Sequence, residues 1–184
     1  MASNKSGKQT IKKIMGEEVK IKPTIEKYLV GEILDIGCGD SPITEDAFGI
    51  DGRDFPCVKF RTDSLYNLPV QLDGKQFDVV FSSHVAEHLP DMYRTINEWG
   101  MLVKPGGYFI LYLPDGRYYN NYENPEHFHD TTYEQFVFWF KQTFCGGAKN
   151  FKGEQYAPAK FELIEHGLDV GKDRYSFYIV AKKL

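Results

Sequence analysis

The stretch Ile33-Leu34-Asp35-Ile36-Gly37-Cys38-Gly39-Asp40-Ser41 (ILDIGCGDS) decides how this chain folds. Its first four residues form a short apolar run with one embedded carboxylate, the pattern of a buried strand, and the run stops at Gly37. In an open α/β sheet, ligands lie beyond the carboxyl ends of the strands, near the switch in strand order. A turn at that place must let the backbone approach a ligand closely, and Gly37 and Gly39 carry no Cβ to block it.

Reading outward, apolar runs and turns alternate. Phe48-Gly49-Ile50 predicts a second strand ending at Asp51, and Val58 to Arg61 a third, followed by Thr62-Asp63-Ser64. Phe77 to Ser82 and Tyr108 to Leu113 predict the fourth and fifth. A helix over about Met92 to Val103 lies between them, with Ile96, Trp99 and Leu102 at helical spacing. A further helix spans about Tyr133 to Gln142. Two closing strands, Phe161 to Leu168 and Tyr175 to Ala181, are joined by Gly171-Lys172-Asp173 and so pair antiparallel. Strands alternating with helices imply a mostly parallel, doubly covered sheet.

The front of the chain is amphipathic from about Gln9 to Val30, with Ile11, Ile14, Met15, Ile25, Tyr28 and Leu29 on the apolar side. Pro23 suits the first turn of a second short helix there. Six lysines against Glu17 and Glu18 make residues 1–22 locally positive, the mark of a solvated tail.

Bulk composition narrows the classes. The 184 residues fit one domain, read as a tail and covering helices over 1–30 and a cofactor-binding domain over 31–184. A net charge of −4 argues against a nucleic-acid partner, which needs a concentrated basic surface. Three scattered cysteines, Cys38, Cys57 and Cys145, form no Cys-x-x-Cys pair and signal neither a zinc site nor disulfides. No apolar stretch reaches the roughly 20 residues of a membrane span, and no secretory signal opens the chain, so the expected location is the cytoplasm.

The strand ends converge on a nucleoside. The carboxylate of Asp51 can accept both hydroxyls of a ribose, and Asp63 and Ser64 would lie beside an adenine. A nicotinamide-binding turn of the form Gly-x-Gly-x-x-Gly would require a third glycine where Pro42 stands.

These markers, in order ILDIGCGDS, GID, TDSL, FDVVFSSHVAEHL and LVKPGGYFILYLP, resemble the class I S-adenosylmethionine-dependent methyltransferases over about Ile33 to Leu113. The resemblance implies a Rossmann-like, mostly parallel seven-stranded α/β sheet with an antiparallel C-terminal strand pair and helices on both faces. It implies S-adenosylmethionine as cofactor. Gly37 and Gly39 would pass against its methionine part and Asp35 would help hold its amino group. Asp51 would take the ribose, with Gly52 beside it, and Asp63 and Ser64 would face the adenine. Ser82, Ser83 and His84 would border the sulfonium and the acceptor.

The chain departs from that pattern in two ways. Ser41 replaces the third glycine of the usual series. The spacers Asp40 to Ala47 and Gly52 to Cys57 are too short for the first two crossover helices, since a βαβ crossover needs at least about 10–12 residues. The amino-terminal helices, or a second subunit in a homodimer, are expected to cover the sheet instead.

His84, Glu87 and His88 share a face if helical, but the His-Glu-x-x-His order of metalloproteases is absent. Local hydrogen bonding of Glu87 and His88, with no metal, is the expectation. The cluster from Asn124 to Asp130, reached through Tyr118, Tyr119 and Tyr122, reads as a lid over the acceptor. His84 and His127 are the candidate catalytic bases, and His129 and Asp130 are as well explained by capping of the next helix. The stripe Phe136, Phe138, Trp139, Phe140 and Phe144 reads as core. A small-molecule or glycan-linked acceptor leads. A nucleic-acid methyltransferase would carry an Asn/Asp-Pro-Pro-aromatic motif where Ser82-Ser83-His84-Val85 stands, and a non-catalytic cofactor-binding protein is the other alternative.

Overall fold

A computed structural model describes residues 16–119, 124–155 and 157–184. The apolar residues expected at 11, 14 and 15, the lysines of the first fifteen residues and Tyr122 lie outside the described residues. Seven strands form one sheet: β1 Ile33–Ile36, β2 Phe48–Asp51, β3 Val58–Arg61, β4 Phe77–Ser83, β5 Val103–Pro114, β6 Phe161–Gly171 and β7 Arg174–Lys183. Their order across the sheet is β3-β2-β1-β4-β5-β7-β6. The first five run parallel and β7 pairs antiparallel with both β5 and β6. The order reverses between β1 and β4, which puts the switch point beside Gly37.

Among the described residues four α-helices accompany the sheet: α1 Glu18–Ile25, α2 Leu68–Gln71, α3 Met92–Met101 and α4 Tyr133–Phe144. Between β1 and β2, and between β2 and β3, the chain makes only turns and bends, as the short spacers require. Asp91 caps α3 by accepting the Arg94 amide at 2.9 Å. Thr132 caps α4 in a reciprocal box with Gln135, so the segment Asp130-Thr131-Thr132 does open this helix.

Alternation along the strands divides the core in two. Leu34, Ile36, Val80, Phe109 and Leu111 face α3 and α4, where Trp99, Phe136, Phe140 and Phe144 are buried with them. Ile33, Val79, Phe81, Ile110 and Val180 face the other way. Ile21 and Ile25 of α1, with Ile43 and Ala47 from the helix-free spacer, bury that surface.

Three local expectations change. Pro23 lies inside α1 rather than opening a second helix, and α1 ends two residues later in a single tight turn over Glu26–Tyr28. A proline cannot donate the amide that would extend the helix from its centre, so α1 stays short. β5 starts at Val103, five residues before Tyr108, because Phe77 pairs with Val103 before the register shifts around the glycines at 106 and 107. Phe138 is 67 % exposed; at two residues from both Phe136 and Phe140 it falls on the opposite side of α4 from the core.

Because Ile21 and Ile25 have no solvent exposure, replacing either with alanine is expected to cost about 2–5 kcal/mol in denaturant unfolding. Phe138→Ala should stay within about 0.5 kcal/mol of the parent. Equal effects at the buried and exposed sites would show that α1 does not seal this face.

Candidate active site

The bend after β1 is built from backbone. Gly37 and Gly39 take φ values of 76° and 57°, the left-handed region that favours glycine. A Cβ at Gly37 would collide with Val85 Cγ2. The Gly37 and Cys38 amides both donate to the Ile50 carbonyl, at 2.8 and 3.2 Å, so the bend is tied to the end of β2. The tie continues through a side chain, because the Gly39 amide donates to Asp51 Oδ2 at 3.0 Å.

Asp51 is 6 % exposed and stands on the wall of a cleft of about 680 Å³, beside Gly37 and Gly52. The Arg53 amide donates to its Oδ1 at 2.8 Å and the Arg53 guanidinium reaches both oxygens, at 3.1 and 3.4 Å. Burial alone would raise this carboxyl, but the hydrogen bonds from Arg53 and Gly39 outweigh it and hold the group below its ordinary value. Arg53 is the residue the sequence reading missed at this corner. Nothing in its spacing marks it, since it acts through a carboxylate two residues earlier.

Asp35 does not line the cleft. It is 2 % exposed and accepts the Ile43 amide at 2.6 Å, fixing the spacer after the bend. Burial pushes its carboxyl up to about 7, against the single amide bond that lowers it. Asp63 and Ser64 are exposed, and Leu65 after them faces the cleft instead. Its carbonyl accepts the Trp99 indole N–H at 2.9 Å, which anchors the turn on α3. Ser82 is spent internally, its hydroxyl donating to the Ile36 carbonyl at 2.9 Å. The Ser83 hydroxyl is buried with no hydrogen-bond partner among the described residues.

His84 follows β4 with φ 53°, uncommon for a residue with a side chain. Its amide donates to the Tyr112 carbonyl at 2.8 Å and its Nε2 lies 2.9 Å from Ser176 Oγ. Burial, with the neighbouring Lys20, His127 and His88, lowers the imidazole to about 3, so it is neutral at physiological pH and a weak base.

The segment 124–130 closes the cleft from the other side. Pro125, Glu126 and Phe128 line it opposite Gly37. Three contacts stitch this segment to the turn at Ala86–His88. The Phe128 amide donates to the Glu87 carbonyl at 2.9 Å, His88 Nδ1 meets the Glu126 carbonyl at 3.2 Å, and His129 Nε2 meets the Leu89 carbonyl at 2.9 Å. His127 packs edge-on against His88 at 4.5 Å and stacks on Tyr119 at 5.2 Å. Asp115, fully buried at the end of β5, holds the start of this excursion through both the Arg117 guanidinium and the Tyr133 amide.

Residues 48–111 match the family model described as a methyltransferase domain. No curated protein matches the chain in sequence. Among solved structures, a methyltransferase from Methanosarcina mazei, titled as S-adenosylmethionine-dependent, is 19 % identical with a TM-score of 0.56, covering 88 % of this chain and 97 % of its own. The N-methyltransferase NodS of Bradyrhizobium japonicum, solved with S-adenosyl-L-homocysteine, is 12 % identical with a TM-score of 0.60, covering 90 % and 84 %. The complex of the Haloferax volcanii Trm112 methyltransferase activator with a methyltransferase gives 14 % identity and a TM-score of 0.61, covering 89 % and 88 %. The fold is that of the class I S-adenosylmethionine-dependent methyltransferases, as the resemblance implied. Among the described residues no helix is long and apolar enough to cross a membrane.

The elevated Asp35 carboxyl has a pH signature. A carboxyl whose folded value stands near 7, against 3.8 unfolded, holds its proton more tightly in the native state. It therefore removes stability as pH rises through that window. Asp35→Asn, which keeps an acceptor for Ile43, should gain on the parent by a few kcal/mol between about pH 4 and 7 and stay level above. Denaturant unfolding across that range tests it. A pH-independent difference between the two proteins would remove the assignment.

Proposed function

We propose that the protein binds S-adenosylmethionine in the cleft beyond β1 and β2 and transfers its methyl group to a small-molecule or glycan-linked acceptor. The observation that carries this reading is the convergence of the Gly37–Gly39 bend and the Asp51 carboxylate on one cleft wall at the switch in strand order. The residues present suit the cofactor. Asp51 offers two acceptor oxygens to a diol, Gly37 leaves the wall bare, and Leu65 gives an apolar surface for a planar base.

The cofactor supplies an activated methyl group whose departure leaves a neutral thioether. The chain's own task is then alignment, which can supply roughly 7–11 kcal/mol of the barrier when reacting atoms are well oriented. Pro125, Glu126 and Phe128 cover the cleft and exclude water. His84, as weak a base as its burial makes it, borders the acceptor and orients it. Among the described residues the cleft lining carries one guanidinium, that of Arg53, beside Asp51, Glu126, histidine and apolar side chains, which suits a small or sugar-bearing acceptor better than a nucleic acid.

Calorimetric titration with S-adenosylmethionine and S-adenosyl-L-homocysteine tests the reading. Micromolar binding by the parent is expected, and Asp51→Ala should weaken it by at least about tenfold, the loss of a hydrogen bond to a charged group. No binding by a parent protein with a normal melting curve would defeat it. Arg53→Ala makes a separate expectation at the same corner. The guanidinium now on Asp51 must yield to a ribose diol, so its removal should tighten binding severalfold, and weaker binding would make Arg53 a cofactor ligand instead.

A further inference from the structure

The turn after β4 holds a group that no hydrogen bond accounts for. Glu87 is 2 % exposed, and neither of its carboxylate oxygens has a hydrogen-bond partner among the described residues. A buried carboxylate left in that state loses its hydration without compensation. It is not surrounded by apolar groups either. His84 Nδ1 stands 3.7 Å and His88 Nε2 3.9 Å from its Oε1, both too long for hydrogen bonds. The lid brings His127 to the same point, so that one ligand atom each from Glu87, His88 and His127 lies within 4.8 Å of the others.

The tautomer of His88 sharpens the problem. A carbonyl only accepts, so the contact with the Glu126 carbonyl makes Nδ1 the N–H donor. When the ring carries that one proton, the lone pair of Nε2 turns toward the Glu87 carboxyl group. Two acceptors facing each other in a buried place repel unless something positive lies between them. A histidine whose far nitrogen is fixed by a backbone carbonyl is also how metal-ligating imidazoles are oriented. Two ligands at about 2.0–2.2 Å from one tetrahedral ion stand about 3.4 Å apart, so the 3.9 Å gap has only to close by about half an ångström.

We propose that Glu87, His88 and His127 bind one divalent cation of the zinc class. Two imidazoles and a carboxylate favour zinc and its transition-metal neighbours over magnesium or calcium, which prefer all-oxygen sites. Three protein ligands leave one position to complete a tetrahedron, and His88 lines the cleft, so that position opens toward the bound molecule. The cation would tie the 124–130 segment to the turn at 84–89, adding to the three hydrogen bonds already joining them. Of the hydrogen bonding expected at Glu87 and His88, His88 and the Glu87 carbonyl make theirs while the Glu87 carboxyl group makes none among the described residues, and spacing alone does not bring in His127. The claim stands independently of the methyltransferase reading, because binding of the ion can be measured without turnover.

The protein, stripped with chelator, is titrated with Co2+ by visible absorption and with Zn2+ by thermal melting. One equivalent of Co2+ should develop ligand-field absorption, and Zn2+ should raise the melting temperature. His127→Ala, a change in a partly exposed loop, should lower affinity by at least about 100-fold, and Glu87→Gln should do the same. Cys57→Ser should leave binding intact, which separates this site from a thiolate site near Cys38 and Cys57. Absence of saturable Co2+ binding by the parent overturns the proposal. Undiminished binding by His127→Ala, or loss on Cys57→Ser alone, overturns it equally. Should Glu87→Gln fail to fold, His127→Ala decides the matter.

Discussion

The architecture of the cleft depends on one junction, where the bend after β1 is bonded to the end of β2. Three amides of residues 37–39 take part, two donating to the Ile50 carbonyl and one to the Asp51 carboxylate. Only backbone able to turn with positive φ can present consecutive amides in this way, which is why Gly37 and Gly39 sit there. The junction fixes the bend and aims the carboxylate with the same bonds. It also explains how the protein dispenses with the first two crossover helices. The strand ends are held by direct hydrogen bonds between neighbours, while Ile43 and Ala47 fill the space a helix would otherwise occupy.

Much of this was legible in the sequence because the signals are local. β1, β2 and β3 have the bounds their apolar runs imply, and β4 runs one residue further at its carboxyl end. The missing crossover helices follow from arithmetic on spacer length. What was illegible depended on contacts across the chain. Leu65 faces the cleft in place of Asp63 and Ser64 because Trp99, 34 residues on, grips the Leu65 carbonyl and sets the turn. Arg53 covers Asp51 because no helix carries it away after β2. Ser82 looks like a site residue by position, yet its side chain points to the Ile36 carbonyl across the β1–β4 pair. Alternation decides which face a strand residue takes, but whether a polar group is consumed by a neighbour needs the neighbour's position.

The lid illustrates the same division. Its aromatic and histidine content suggested a cover, and Thr132 with Gln135 supplied a readable helix start. That His127 would meet His88, and that Phe128 would hydrogen-bond the Glu87 carbonyl, could not be deduced from residues some 40 positions apart. Asp115 makes the encounter reproducible. Fully buried, it binds Arg117 and the first amide of α4 together, so the excursion between β5 and α4 leaves and returns at one anchored point. Closing both ends of a long connection on one residue reduces the conformations its middle can adopt.

The buried carboxylates around the cleft then divide by how completely the chain itself satisfies them. Asp51 and Asp115 each receive a guanidinium and backbone amides, and both are held below their ordinary values despite burial. Asp35 receives one amide and rises to about 7. Glu87 receives nothing and burial carries it to about 8, although two imidazoles stand within 4 Å and a third is nearby. A protein that solves the same problem with arginine at two of its corners has not solved it at the fourth. Raised to about 8, the Glu87 carboxyl keeps its own proton at neutral pH, and the cation proposed above would take that proton's place among the histidines. The wall formed by Gly37, Gly39 and Asp51 is thus completed by the protein's own hydrogen bonds, and the Glu87 corner is where the proposed cation would stand.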